Sequence, residues 1–427
     1  MPGWRAKAAC AAVTVLTAAC GHPAPPAPPA SAPAGLAPVP VAVPAELGGT
    51  PFDMPRRALV PPGWTMAVWA RVPKARLAAW APDGALLVSV PAAGRVLRLV
   101  PARPRPQQSV LLDGLDQPHG LAFDGGTLYV AESDEVDAFD YRGSVADGRR
   151  VVAGGLPDDR SPELGGAYAH ALKSVAVGRD GAVYFSIGST GNITADDRTA
   201  EPPRATIMRI PPEGGPARPF ATGVRNGTGL AVAPDGAVWT AVNNRDQVPD
   251  PRPGPSYGRI TDYVNDNPPE SVARLTPGRE LGWPYCNPDV GDGPAFVRDV
   301  QTNADGSKLD CAALPPVEQT LGAHSAPLGL SFTTGALPPP YDSGALAGVH
   351  GSWNRTPARA PEVSFFAWDA GSLASTLGPQ RTLVGGFQDQ DGSRWGRPVA
   401  AVAGPDGAVY ITDDYAGAVY RLAPPGR

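Results

Sequence analysis

Four histidines, two arginines and one asparagine carry the residue types that could move a proton or hold an anion in this chain. His119, His170, His324 and His350 lie in QPHGLAF, AYAHALKS, AHSAPLGL and GVHGSWNR, each beside an apolar run. A lone histidine is usually a hydrogen-bonded structural residue. Four in comparable surroundings, out of five in the chain, point to a shared cavity. An imidazole there can be a turn residue, a metal ligand or a general base. Neither HxH nor HExxH occurs, so a zinc site is not signalled. Arg225 and Asn226 sit in GVRNGTGLAV and Arg397 in RWGRPVAAV, again just before apolar runs. Two such cations suit a ligand bearing carboxylates, and the plain alternative for each is a salt bridge on a rim. Glu132, Asp246 and Asp413 are acidic candidates for a cation site, but their spacing imposes no geometry.

The elements that must position these residues share one local grammar. Asp-Gly stands between an apolar run and an alternating run at 83, 124, 180, 235 and 406. Examples are WAPDGALLVSV, VAVGRDGAVYFSIGS and VAAVAGPDGAVYITDD. Asp-Gly between alternating apolar residues predicts a hairpin, because Gly accepts positive φ. A weaker sixth copy runs through GLSFTTGALPPPYDSGALAGVHGSW, with its turn expected at Ser343–Gly344. In the last copy, Val409, Ile411 and Asp413 are expected to face one way, and Tyr410 and Thr412 the other. Spacings of about 40 to 60 residues, stretched once by an insertion, suit blades of four antiparallel strands. The fold class is therefore all-β, a six-bladed β-propeller. Polar clusters after the hairpins (AESDE, SIGSTGN, VNNRD, HGSWNR, TDDYAG) would gather at one rim or near the channel.

Composition agrees with many short strands: 51 Gly and 53 Pro in 427 residues, and 42% hydrophobic residues. The net charge of −5 comes with no basic stripe, so nucleic acid is not an expected partner. No nucleophile elbow, P-loop or dinucleotide fingerprint occurs. The N-terminus carries Arg5 and Lys7, then a short apolar run from Ala8 to Ala19 ending in LTAAC. It reads as a lipoprotein signal over residues 1–19 with Cys20 as the lipidated residue, the alternative being an ordinary secretory signal. Residues 20–48, rich in Pro and Ala, read as a tether, and 49–427 as the propeller domain. The chain is thus expected to be exported and to meet a membrane only through a lipid anchor. Of the four cysteines, Cys286 and Cys311 remain for a disulfide. Closing that loop of about 25 residues could contribute ~3 kcal/mol.

From about Leu59 to Leu422 the chain resembles the glucose/sorbosone dehydrogenase family, whose members are six-bladed quinoproteins using pyrroloquinoline quinone. The resemblance rests on an ordered set of stretches. These are LVPPGWTMAVWARVPKARLAAW, LDQPHGLAF, GGAYAHALKSVAVGRDGAVYFSIGSTGN, GVRNGTGLAVAPDGAVW, LGWPYC, AHSAPLGLSF, GVHGSWNR, GRPVAAV and DGAVYITDDYAGAVYRL. The sorbosone dehydrogenase-like branch is the nearer one. The resemblance implies that His170 is the catalytic base, with an imidazole pKa near neutrality, and that Arg225 stabilises charge on the quinone oxygen. It implies that Asn226 lies against the cofactor and that Arg397 pairs with a cofactor carboxylate. His324, Asn354 and Arg355 fall with the cofactor-binding positions, and Ca²⁺ would be held partly by backbone carbonyls after Asn243–Asp246. Three positions depart from the glucose-oxidising branch: Ser189 stands for an aspartate, Asn354 for a lysine and Trp395 for an arginine.

The expected activity is oxidation of a sugar or aldehyde by hydride transfer to the quinone, with electrons passing to an external acceptor. Two other classes stay open. A calcium-dependent lactonase on the same propeller needs acids converging on the channel. A non-catalytic binding propeller predicts that changes at His170 and Arg225 leave every measurable property intact.

Overall fold

The computed structural model describes residues 35–158, 169–291, 293, 295–369 and 376–426. The signal over 1–19, Cys20 and the first part of the tether lie outside the described residues. The architecture is a six-bladed β-propeller. Blades one and two run through Ala78–Trp80, Leu86–Val90, Arg95–Val100 and Gln107–Leu112, then Gly120–Asp124, Thr127–Ala131, Val136–Arg142 and Val145–Ala153. Blade three uses Val175–Val177, Val183–Ile187, Thr206–Ile210 and Arg218–Thr222, with Arg279–Glu280 added in parallel at its edge. Blade four uses Gly229–Val232, Val238–Val242, Glu270–Leu275 and Gln319–Leu321. Blade five uses Pro327–Thr334, Ser343–Val349 and Glu362–Asp369, the last flanked by Thr376–Leu377 and Arg381–Val384. Blade six closes the ring: Pro398–Ala403, Val409–Asp413 and Ala418–Ala423 pair with the early strand Thr65–Arg71.

The Asp-Gly turns join the innermost strand of a blade to the next. Asp83, Asp180, Asp235 and Asp406 each accept the amide two residues on, at 2.9–3.3 Å. The glycines that follow take φ of 81°, 82°, 88° and 77°, the left-handed region that only Gly adopts freely. Blade five departs from the expectation. Its turn is Gly335–Asp342, and Ser343–Gly344 already lies in the next strand, paired with Thr334 and Thr333. Ser343 opens a strand because Gly335, at φ 81°, has already made the reversal. The expected two-sided strand Val409–Asp413 is buried at all five positions, since it lies second in its blade with neighbouring blades on both faces.

The tether boundary is corrected as well. Ala37–Ala42 is a strand, antiparallel to Arg57–Val60 and parallel to Thr65–Arg71. The Val41 amide donates to Arg56 O at 2.9 Å. Pro38 and Pro40, one residue out of phase, turn their missing donors to the side with no neighbour there. Val41, Leu47 and Phe52 are buried in one cluster with Trp395 and Tyr420, so apolar side chains inside a proline-rich stretch dock it. The folded domain therefore begins before residue 49.

The innermost strands crowd the axis. A Cβ on Gly120 would meet Val175 N at 2.5 Å, and one on Gly329 would meet the Ala400 Cα at 2.8 Å. Leu77, Leu121, Val175, Leu230, Leu330 and Val402, one from each blade, line a void of only about 60 Å³. Side chains stitch four of the six blade junctions: Ser174 Oγ donates to Thr228 O (2.5 Å), Thr228 Oγ1 to Pro327 O (3.3 Å), Ser331 Oγ to Ala401 O (2.6 Å) and Thr412 Oγ1 to Arg76 O (2.5 Å). A plugged axis leaves polar chemistry to the rims. Cys286 and Cys311 are bonded. Their bridge braces a short hairpin, Cys286–Pro288 with Phe296–Arg298, inserted between the third and fourth strands of blade four.

Candidate active site

Residues before the innermost strands and residues after the second strands meet on one rim. His170, Arg225, Asn226, His324 and Asn354 come together there around two side chains, Asn192 and Asp246. His170 is partly buried. Its Nδ1 lies 2.9 Å from Ser189 O and 2.8 Å from Ser189 Oγ. The Ser189 hydroxyl gives its own proton to Gly191 O at 2.8 Å. Both neighbours of Nδ1 are therefore acceptors, so Nδ1 carries the proton and Nε2 presents a lone pair. Nε2 has no partner among the described residues and is not sealed from solvent. Burial, then the Arg225 guanidinium, pull the imidazole down to about 3. This corrects the near-neutral value expected from the sequence: Ser189 supplies direction without the negative charge that would raise the pKa. The serine turn leaves no room for a side chain at Gly188, where a Cβ would meet His170 Cβ at 2.6 Å and Asn226 Oδ1 at 3.3 Å.

Arg225 is held by oxygen atoms. Its Nη1 donates to Asn243 O (3.1 Å) and Asn244 O (2.7 Å), Nε to Asn192 O (3.3 Å) and Nη2 to Asn192 Oδ1 (3.0 Å). Nη2 also lies 3.7 Å from Asp246 Oδ2. Asn192 is a bridge that motif reasoning passed over: its Oδ1 also accepts the Asp246 amide at 2.7 Å, and its Nδ2 donates to Asp246 O at 2.8 Å. Its position at the end of SIGSTGN, three residues after the serine that contacts His170, was the available signal. Asp246 accepts from Asn354 Nδ2 at 2.9 Å and lies 3.2 Å from His324 Nδ1. Burial opposes its charge, but His324, Arg225 and Asn354 hold its carboxyl below the usual range. His324 is in turn raised: burial works against the cation, but Asp246 and Val264 O outweigh it. Asn354 keeps a buried Oδ1 without a partner.

Arg397 lies on the far side of the rim, its backbone amide on Asp413 Oδ2 (2.9 Å) and its Nε 3.5 Å from His350 O. It pairs with no carboxylate among the described residues. His350 Nε2 lies 3.3 Å from Asp414 Oδ1, and Arg76 Nη1 donates to Asp414 Oδ2 at 2.7 Å. Arg355 points away from the other candidates: it reaches Asp266 at 3.0 Å, because that loop supplies the nearer carboxylate. Trp395 is buried against Phe387, Phe52 and Tyr420, with Nε1 on Gly386 O at 2.7 Å. It is a core residue and leaves no cation at its position. The acids considered for a lactonase do not converge. Glu132 accepts the Asp116 amide and pairs with Arg149 at 3.0 Å. Asp413 caps a turn through the amides of Tyr415 (3.0 Å) and Ala416 (2.8 Å). Only Asp246 stands in the site.

Lys173 was also missed. It is fully buried, and its ammonium donates to Pro157 O (2.8 Å), Ala171 O (3.1 Å) and Ser133 O. This internal cation joins blade two to the segment that carries His170. Burial pulls it down to about 7.

Residues 58–424 match the family model described as TrAA12-like. The chain is 25% identical over 354 residues to a pyrroloquinoline quinone-dependent pyranose dehydrogenase of Coprinopsis cinerea, covering 71% of this chain and 46% of that protein. It is 27% identical over 235 residues to an uncharacterized protein of Borreliella burgdorferi, covering 54% and 56%. The chain thus spans about half the length of the curated relatives it matches. Among solved structures, the holo form of the pyranose dehydrogenase PQQ domain from C. cinerea superposes with a TM-score of 0.73 at 21% identity, over 90% of this chain and 100% of that one. A calcium structure of a Trichoderma reesei enzyme of carbohydrate-active family AA12 gives a TM-score of 0.67 at 20% identity, over 86% and 96%.

Proposed function

The chain belongs to the TrAA12-like family, and from that premise we propose that it oxidises a sugar or aldehyde, with pyrroloquinoline quinone as hydride acceptor. The observation that carries this reading is the His170 imidazole, locked by Ser189 with its Nε2 lone pair free, beside the buried Arg225 cation. The rim suits the cofactor. Among the described residues Arg397 is a cation with no carboxylate partner, Asn354 has an orphaned buried Oδ1, and Asn226 flanks Gly188 beside His170. These three would hold the quinone's acid and carbonyl groups, and Arg225 would lie at the oxygen where negative charge develops. A calcium ion would take the Asp246 carboxylate together with backbone carbonyls. Bound there, the quinone supplies the two-electron acceptor.

The chain's own part is positional and proton-based. His170 Nε2 accepts the proton of the substrate hydroxyl while hydride leaves the same carbon, and the Nδ1–H contact with Ser189 holds the ring at the required angle. Partial burial and the neighbouring Arg225 charge keep the imidazole neutral until it takes that proton. Export, a lipid on Cys20 and an external electron acceptor belong to the same reading. Export and the lipid on Cys20 rest on the LTAAC motif.

The test uses the full chain with pyrroloquinoline quinone, with and without Ca²⁺. Saturation at a hundred times the dissociation constant adds about 2.7 kcal/mol of stability. Aldoses or aldehydes then bleach the quinone spectrum. No thermal shift at saturating cofactor overturns the reading.

A further inference from the structure

The segment Asn243–Asp246 presents two carbonyls to Arg225 and one carboxylate to the rim, yet it belongs to an irregular insertion within blade four. Its inward side is anchored by Asn243 Nδ2 on Pro327 O (2.8 Å) and by Asn244 Nδ2 on Pro269 O (2.8 Å) and Ser271 Oγ (3.0 Å). Asp246 is tied to Asn192 and Asn354, and the Arg245 guanidinium ties the segment to the inserted hairpin. That group is almost wholly buried and pairs with the fully buried Asp299. It also donates to Gln301 Oε1 at 2.9 Å and Gln247 O at 3.1 Å.

Asp299 is itself held from every direction. Its Oδ1 accepts the amides of Gln301 (2.9 Å) and Thr302 (3.2 Å), and Oδ2 accepts from Asn287 Nδ2 (3.0 Å). Its amide donates to Tyr285 O and its carbonyl accepts from the Asn303 amide, both at 2.9 Å. The chain enters this loop through Cys286, whose strand pairs with Arg298, and leaves it at Cys311, so the disulfide closes the loop around Asp299. Cys286, Phe296 and Cys311 form its small core. Without the bridge, a two-stranded hairpin of this size is only marginally stable.

We propose that Asp299 is a positioning residue of the rim: through Arg245 it holds Asn243–Asp246 against Arg225, and the Cys286–Cys311 bridge holds Asp299 in place. A buried ion pair is weak evidence for stability, and its better attested use is to select one arrangement. Here the arrangement selected is that of the oxygens around Arg225. The proposal rests on the quinone reading for its cofactor measurement alone.

The experiment compares the full-length parent with Asp299→Asn and with the double variant Arg245→Met/Asp299→Leu, which removes both charges and refills the space. The first measurement needs no cofactor. It is hydrogen exchange at the amides of Asn243, Asn244 and Asp246, which are bonded to Asn226 O, Glu270 Oε2 and Asn192 Oδ1. In Asp299→Asn these amides exchange at least about ten-fold faster, while Leu86–Val90 in blade one keeps the parental rate. The second measurement is half-saturation by pyrroloquinoline quinone with Ca²⁺, which rises about 10- to 100-fold, as for other outer supports of a bound group. The double variant regains the parental thermal midpoint but not the parental half-saturation. Cys286→Ser/Cys311→Ser moves both measurements the same way. Unchanged exchange in Asp299→Asn, or full cofactor affinity in the double variant, overturns the proposal. A parent that binds no quinone removes the dehydrogenase reading and leaves the exchange measurement to decide this one.

Discussion

His119 and His170 stand on adjacent blades with nearly the same local chemistry. Each directs Nδ1 at a backbone carbonyl, Lys173 O at 3.1 Å for His119 and Ser189 O at 2.9 Å for His170. Each is therefore protonated on Nδ1, and burial pulls each down to about 3. They differ at the other nitrogen. His119 Nε2 is sealed, without a hydrogen-bond partner, in a ring with no exposed surface, whereas His170 Nε2 opens on the rim. A depressed pKa and a fixed tautomer do not by themselves make a base; access to a substrate proton does. His119 belongs to the stitching between blades, like Ser174 and Thr228, whereas the open Nε2 is what lets His170 serve as the base in the proposed reaction.

The sharpest test of that difference is substitution at both. His170→Ala should lower kcat by about 10²- to 10⁴-fold while keeping the cofactor-dependent thermal shift. His119→Gln should stay within about three-fold of the parent in kcat, since it touches no substrate. Equal losses at the two positions in steady-state assays would break the comparison. Next in size is Lys173→Met, which leaves three carbonyls, two of them buried, without their cation. It should cost about 1–3 kcal/mol of stability in a urea titration, with Lys173→Arg partly restoring the midpoint.

A smaller effect is expected at Ser189. Ser189→Ala removes one acceptor from Nδ1 but leaves the carbonyl, so kcat/KM should fall by roughly ten-fold or less, about 1 kcal/mol. The pH profile sharpens the same point. The base must be unprotonated, so activity is lost as pH falls through the His170 pKa. With that value at about 3, kcat/KM should stay flat from pH 8 to below pH 5 where the base alone limits it, instead of falling near 6.5. The smallest signal is in stability. The folded pKa of His119 lies below its unfolded value, so the unfolded chain binds more protons between about 6.5 and 3. Stability from this group is present above pH 6.5 and is lost as pH falls. His119→Gln should therefore show a shallower decline of the thermal midpoint from pH 7 to pH 4 than the parent.

Much of the scaffold was legible because its signals are local. Asp-Gly marks a hairpin through its own φ and its own carboxylate, and five of six such turns stand where the pattern places them. The sixth failed because Ser-Gly carries a weaker signal and Gly335 turns the chain earlier. The strand at Ala37–Ala42 was hidden by its composition: prolines read as a tether unless the phase of the neighbouring amides is known. In the site, residue type pointed to His170, Arg225, Asn226, His324 and Arg397, and the family resemblance added Asn354. It could not separate Asn354, which faces Asp246, from Arg355, which faces Asp266 one residue later. Nor could it show Trp395 as a core side chain.

By itself the sequence determined the class of fold, the number of blades, the disulfide partners and the short list of groups able to move a proton. These follow from backbone preferences and from residue chemistry that act over a few positions. Tertiary structure alone decided which nitrogen of which histidine is open, that Asn192 and Asp246 join the site, and that Lys173 and the Arg245–Asp299 pair lie behind it. Those outcomes depend on burial and on hydrogen bonds between residues tens to hundreds of positions apart, and desolvation and tautomer exist only once the blades have packed.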